Sequence, residues 1–290
     1  MILYNASIVF NLSNYKRVEE FILLGLTSNR DIQILLFVIF LSVYVISLIG
    51  NIIIVFLSTI NSRLHTPMYY FLRNLSFLDI WYTTRGTECY LLLSMAYDRY
   101  VAICSPLHYT NIMHPTLCLQ MAIGSWVFGL VDSLVHTVFA MQLPYCGPNV
   151  INHFFCEVPS VLEMACTDTY VNKTLIFWFA MLVVIGPFCL ILITYGNIIF
   201  SILKIKTSSG KRKAFSTCAS HIIVVSLFYG TIMFIYMKPG SNHEADQNKM
   251  ATLFYSVITP MLNPLIYTLR NKDMKGAFVD LTRKKIRSDK

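Results

Sequence analysis

Residues 34–58 read ILLFVIFLSVYVISLIGNIIIVFLS, an unbroken run without a charged side chain. A helix needs roughly 20 mostly apolar residues to cross a hydrocarbon core of about 30 Å, so this stretch predicts a membrane span. Similar blocks lie at 117–140, 174–203, 214–237 and 249–269, and two shorter ones at 67–84 and 86–106. Of the 290 residues 56% are apolar and 13% charged, a balance that excludes a soluble single-core domain. The expectation is an all-α membrane protein, with a tail at 1–33, a helix bundle over 34–269 and a C-terminal segment at 270–290.

The basic residues orient the bundle, because Lys and Arg in short loops stay on the cytoplasmic side. Arg63, Arg99, Lys204, Lys206, Lys211, Arg212, Lys213 and the eight basic residues from Arg270 to Lys290 fall at one set of helix ends. The N-terminus is therefore expected outside. The net charge of +8 then reflects topology and attraction to the anionic inner leaflet of the lipid bilayer, with no nucleic-acid partner. The opening MILYNASIVF carries no basic, apolar and cleavage-site pattern of a signal peptide. Glycosylation sequons begin at Asn5, Asn11 and Asn172 on the expected outer face; another, at Asn74, lies inside a predicted span.

Three of the eight cysteines, Cys146, Cys156 and Cys166, share one outward loop. It faces an oxidising compartment, and an odd number lets at most one pair close within it. His153, Cys156 and Glu157 together offer nitrogen, sulfur and oxygen, a weak candidate set for copper or zinc; a plain disulfide loop with a neighbouring histidine is the simpler expectation. Asp79 and Glu88 are ionisable at membrane depth, where such groups mark function. Two carboxylates facing each other in a bundle can share a proton or a sodium ion. Asp98-Arg99-Tyr100 ends a span at the cytoplasmic face, where pairing and release of Arg99 would make a switch. Pro264, after Asn263 and before Tyr267, and Pro187 each remove a helical hydrogen bond and predict kinks. Phe177, Phe179, Tyr229, Tyr236 and Tyr255 lie where late helices could enclose a small apolar ligand, and Met233 shares a helix face with Tyr229. No phosphate-binding glycine loop, zinc pattern or nucleophile beside a base supports an enzyme, and no inverted repeat supports a transporter.

Four segments carry a family resemblance: LHTPMYYFLRNLSFLDI (64–80), MAYDRYVAICSPLHY (95–109), KAFSTCASHIIVV (213–225) and PMLNPLIYTLRNKDMKGAF (260–278). The chain resembles the olfactory receptors, G-protein-coupled receptors of the rhodopsin-like type, from Phe21 to about Lys285. The resemblance implies a seven-transmembrane helix bundle at the plasma membrane with its N-terminus extracellular. It implies a small hydrophobic odorant as ligand and a stimulatory heterotrimeric G protein signalling to cyclic AMP. It assigns Asp98, Arg99, Tyr100, Asn263, Pro264 and Tyr267 to activation and coupling, and Asp79 with Glu88 to an intramembrane acid pair. Phe179, Val183, Tyr229, Met233, Tyr236 and Tyr255 become the ligand pocket, Asn5 and Asn11 the glycosylation sites. The segment after Asn271, with Met274, Phe278 and Leu281 on one face, resembles the family's interfacial eighth helix. Thr194 before Tyr195 stands where the family usually has serine.

One stretch departs from the family pattern. Thr84 runs through Arg85 straight into GTECYLLL, so the first outer loop and the adjoining ends of the second and third helices are expected to be missing. From Arg85 to Asp98 a helix covers only about 20 Å, and Arg85, Gly86, Thr87 and Glu88 would form a polar hairpin inside the membrane. A single span or a re-entrant loop over 67–106 is the alternative, and the later basic loops oppose it. The family's third-helix cysteine normally bonds Cys156; without it, Cys156 is expected unpaired while Cys146 and Cys166 close a local loop. The competing functional reading is a non-signalling deletion product retained in the endoplasmic reticulum.

Overall fold

The computed structural model describes residues 20–81, 85–146, 149–154, 156–236, 253, 259–270 and 274–280. Its helices are α1 (Arg30–Ile60), α2 (Pro67–Trp81), α3 (Arg85–Cys104), α4 (Tyr109–Ile112), α5 (Pro115–Met141), α6 (Val158–Leu162), α7 (Tyr170–Ala180), α8 (Gly186–Lys204), α9 (Ser208–Tyr236) and α10 (Thr259–Arg270). A π-helical turn, Met181–Ile185, joins α7 to α8 into one long helix, and residues 274–280 are helical. Two short strands, β1 (Ile22–Leu23) and β2 (Val150–Ile151), pair in parallel and bind the N-terminal segment to the outer loop.

Local chemistry sets the helix starts. The Asn29 side chain accepts from the backbone N–H groups of Asp31 and Ile32, so α1 begins four residues before its apolar block and the tail expected at 1–33 ends sooner. His114 caps α5 through the Leu117 N–H, with Pro115 in the first turn, where its missing donor costs nothing. Arg85 through Glu88, expected as a polar hairpin at the start of the 86–106 span, form the first turn of α3. A backbone inside the bundle satisfies its polar groups best by becoming helical at once.

The bundle is apolar outside as well as inside. Four described helices are long and apolar enough to cross a membrane: Arg30–Ile60, Pro115–Met141, Tyr170–Lys204 and Ser208–Met233. Phe37, Leu134, Trp178, Ile193 and Leu203 stand exposed along them, as lipid-facing side chains do. At the centre lies α3, whose Cys89, Leu91, Leu92, Met95 and Ala96 are fully buried between α2, α5, α8 and α9. The described part of α2, Pro67–Trp81, rises about 22 Å. The Trp126 indole donates to the Asn74 side-chain oxygen at 3.3 Å and ties α2 to α5, which engages the internal sequon asparagine inside the bundle.

At the start of α8, Pro187 decides the local geometry. The Gly186 N–H reaches back five residues to the Met181 carbonyl. In that register the Leu182 carbonyl would take the next N–H, which Pro187 lacks. The Tyr90 hydroxyl of α3 donates there instead, at 3.3 Å, with its ring stacked on Phe128 of α5. Tyr90→Phe is expected to lower stability by about 1 kcal/mol, read as a fall in the melting temperature of the purified receptor; an unchanged value would mean that the carbonyl is satisfied another way.

Candidate functional site

The cytoplasmic end of α3 carries a closed ion pair. Arg99 Nη2 lies 3.1 Å from Asp98 Oδ2, and the Asp98 side chain is wholly buried. The Tyr109 hydroxyl of α4 donates to Asp98 Oδ1 at 2.7 Å. Burial, with the Asp98 carboxylate beside it, pushes the Tyr109 phenol above its ordinary range and keeps it a donor. Tyr109 stood inside a quoted motif, but its tie to Asp98, eleven residues away, needs the turn after α3. Tyr100 stacks on Tyr97 with ring centroids 6.3 Å apart.

One level deeper, polar groups of three helices meet. The Asn263 side-chain N–H donates to Asp79 Oδ2 at 3.1 Å, joining α10 to α2, and Asn263 also interacts with Glu88 of α3. Glu88 is buried with Oε1 unpartnered among the described residues. Carboxylates around one amide have the oxygen chemistry to share a proton or hold a monovalent cation. Tyr267 is buried beneath them, and Pro264 presses its ring onto Gly50 of α1: a β-carbon at Gly50 would stand 2.9 Å from Pro264 Cβ. Beside this centre, His221 of α9 bonds Tyr195 of α8 at 2.6 Å and the Leu92 carbonyl of α3 at 3.1 Å. Sequence reasoning missed that chain, although both residues stood in segments it singled out.

Toward the outer face the expected ligand residues divide. Val183 and Tyr229 are buried, Tyr229 with its ring 4.7 Å from Phe188 and in reach of Cys89. Met233, one turn beyond Tyr229, is half-buried. Phe179 packs edge-on against His136 of α5, which pairs with Asp132 at 3.4 Å. Phe177 points away from the bundle and is exposed. The Tyr236 side chain and Tyr255 lie outside the described residues, as do Asn5, Asn11 and Leu281. Gly86 lets α3 approach closely: a β-carbon there would meet Val183 Cγ1 at 3.0 Å and the Gly129 Cα at 3.2 Å.

Above these residues sits the outer loop. A disulfide joins Cys146 to Cys166, and backbone bonds from Cys146 to Met164 and from Cys166 to Pro144 close its base. Cys156 is free and exposed. The weak metal set is corrected: no group of three ligating side chains comes together among the described residues. His153 is buried against Phe154, and Glu157 turns to Arg85. Asn172 is also corrected as an outer sequon, because it is buried, at 6% exposure, where no glycan fits. In the 274–280 helix, Met274 and Ala277 are buried and Phe278 is exposed, so the inward face is set by positions three apart.

A central buried helix with a carboxylate-held arginine at its cytoplasmic end and polar groups at mid-membrane defines a receptor-type helix bundle. A family model described as olfactory receptor matches residues 40–87 and 81–285. The chain is 43% identical to olfactory receptor 5AR1 of Mus musculus, with 94% of this chain and 98% of the relative aligned. It is 45% identical to olfactory receptor 10A7 of Homo sapiens, with coverages of 91% and 94%, and 44% identical to human olfactory receptor 2C3, with 93% and 94%. The chain belongs to the olfactory receptor family. It is accordingly a seven-transmembrane, rhodopsin-like bundle of the plasma membrane and a receptor rather than an enzyme.

Proposed function

We propose that the chain senses a small hydrophobic odorant in the outer half of the bundle and signals through a stimulatory heterotrimeric G protein to cyclic AMP. One observation carries this reading. The same helix, α3, presents Gly86 and Cys89 beside Val183 and Tyr229 and, ten residues on, holds Arg99 closed on Asp98. A ligand that shifts α3 therefore acts on the arginine through one rigid element. In this reading Asn263, Pro264 and Tyr267 form the hinge of the last helix, while Asp79 and Glu88 share a proton or a sodium ion between states. Val183, Tyr229, Met233 and Phe179 line the ligand.

The proposal includes a gap in the chain at the α2–α3 connection. The family-model match divides there, between 81 and 87. The alignment with the mouse relative covers 304 positions but draws on only 94% of this 290-residue chain, about 273, which leaves about thirty positions without a counterpart. The free Cys156 accords with it. The test compares this chain with a version in which a relative's segment is inserted after Trp81, both tagged at the N-terminus. Staining of unpermeabilised cells for both, with odorant-evoked cyclic AMP that Arg99→Ala abolishes, is the expected result. Staining of the restored version alone would identify this chain as a retained, non-signalling product.

A further inference from the structure

Arg85 opens α3 thirteen residues before Asp98, a helical rise of only about 20 Å from the cytoplasmic ion pair, so its guanidinium stands below the outer surface of a core of about 30 Å. A cation at that depth must find a partner or draw in water. Besides Glu88 on its own helix, one partner comes from the outer loop: Glu157 Oε1 lies 3.4 Å from Arg85 Nη2, with the two side chains 21% and 38% exposed. This is the one ion pair between the outer loop and the bundle among the described residues.

The rest of the loop is fastened differently. Its base is closed by the Cys146–Cys166 disulfide, and β2 pairs with β1 of the N-terminal segment. After Glu157 comes α6, with Val161 and Leu162 buried against α5. The stretch that crosses the start of α3 includes Cys156, which bonds no other cysteine. Glu157 is thus the ionic link from this stretch to α3.

We propose that Glu157 is a positioning residue: by neutralising Arg85 it draws the outer loop down onto the start of α3 and closes the candidate ligand site from above. The strap is ionic where neighbouring Cys156 provides no covalent one. It stands whether or not the chain signals. Opening it frees the loop from the start of α3, so the cover over Gly86 and Val183 is held by an exchangeable ion pair rather than a fixed bond.

The test uses the full chain in membranes and measures how fast a membrane-impermeant maleimide labels Cys156, with Cys156→Ser as the blank. Glu157→Gln keeps the side-chain shape and removes the charge. It is expected to speed labelling about threefold and to abolish the acceleration that high salt produces in the parent. Arg85→Glu and Glu157→Arg should each do the same, and the charge-swapped double variant should return the rate to within about twofold of the parent. Labelling and salt response unchanged in Glu157→Gln would overturn the proposal. So would a correctly melting double variant that stays fast. Where charge reversal prevents folding, judged by melting temperature, Glu157→Gln and its salt response decide alone.

Discussion

Gly50→Val is expected to destabilise the receptor by about 3 kcal/mol or more, at the upper end of overpacking effects. The cause is geometric. An added β-carbon would come within 2.9 Å of Pro264 Cβ, closer than such atoms approach in folded proteins, and within 3.1 Å of its Cγ. A flexible side chain could swing away, but the proline ring is fixed to its own backbone. Either α1 or α10 must therefore move. Movement of α10 carries Asn263 with it and strains its 3.1 Å bond to Asp79. Asn51, next to Gly50 and fully buried with a bond to Ser47, would move too. Gly196→Ala supplies the control, because nothing lies within 4 Å of its β-carbon position in α8. That change should leave stability equal or raise it by up to about 1 kcal/mol through helix propensity. Thermal melting of both variants in one detergent checks the contrast, and equal melting temperatures would mean that the two helices do not touch as described.

The same close approach shows where sequence reading stops. Apolar blocks located the long spans because lipid selects length and hydropathy with no regard to partner helices. Which glycine faces which proline depends on the rotation of two helices far apart in the chain, and no periodicity in α1 carries it. Helix ends were equally opaque to hydropathy. The start of α9 at Ser208, six residues before its apolar block, lies in KRK-bearing sequence that is helical without being buried in lipid. At Arg85–Glu88 polarity argued for a turn and the apolar block from 86 for a helix, and the helix prevailed because it satisfies the backbone inside the bundle.

In the site, adjacency was readable and convergence was not. Asp98 and Arg99 meet as neighbours in sequence should, and Cys146–Cys166 closes as the loop spacing allows. Tyr109, Tyr195 and His221 join the polar groups only because α4, α8 and α9 turn them inward. The acid pair was legible as charge in an apolar block, yet its link through Asn263 to the last helix crosses 184 positions. Asn172 misled in the opposite sense, since a three-residue pattern carries no information about burial.

His221→Phe is expected to cost about 2–3 kcal/mol, the range for leaving a buried polar partner unsatisfied together with the loss of a second bond. His221 is fully buried, and the Leu92 carbonyl can only accept, so Nε2 of the imidazole carries the proton. Nδ1 is then the acceptor, and the Tyr195 hydroxyl donates to it at 2.6 Å. One neutral ring thereby joins α3, α8 and α9 while stacking on Tyr195 at 5.7 Å. Phenylalanine preserves the stack and removes both bonds. It strands the Tyr195 hydroxyl, whereas the Leu92 carbonyl keeps its place in the α3 ladder. Tyr195→Phe alone should cost less, about 1 kcal/mol, because it removes one hydrogen bond and leaves the bond from His221 to the Leu92 carbonyl in place. In the double variant no buried hydroxyl is left without a partner, so the two costs should fall short of adding by about 1 kcal/mol. Additive costs in a denaturation series would mean that the hydroxyl is satisfied elsewhere, and that ring stacking alone ties α8 to α9.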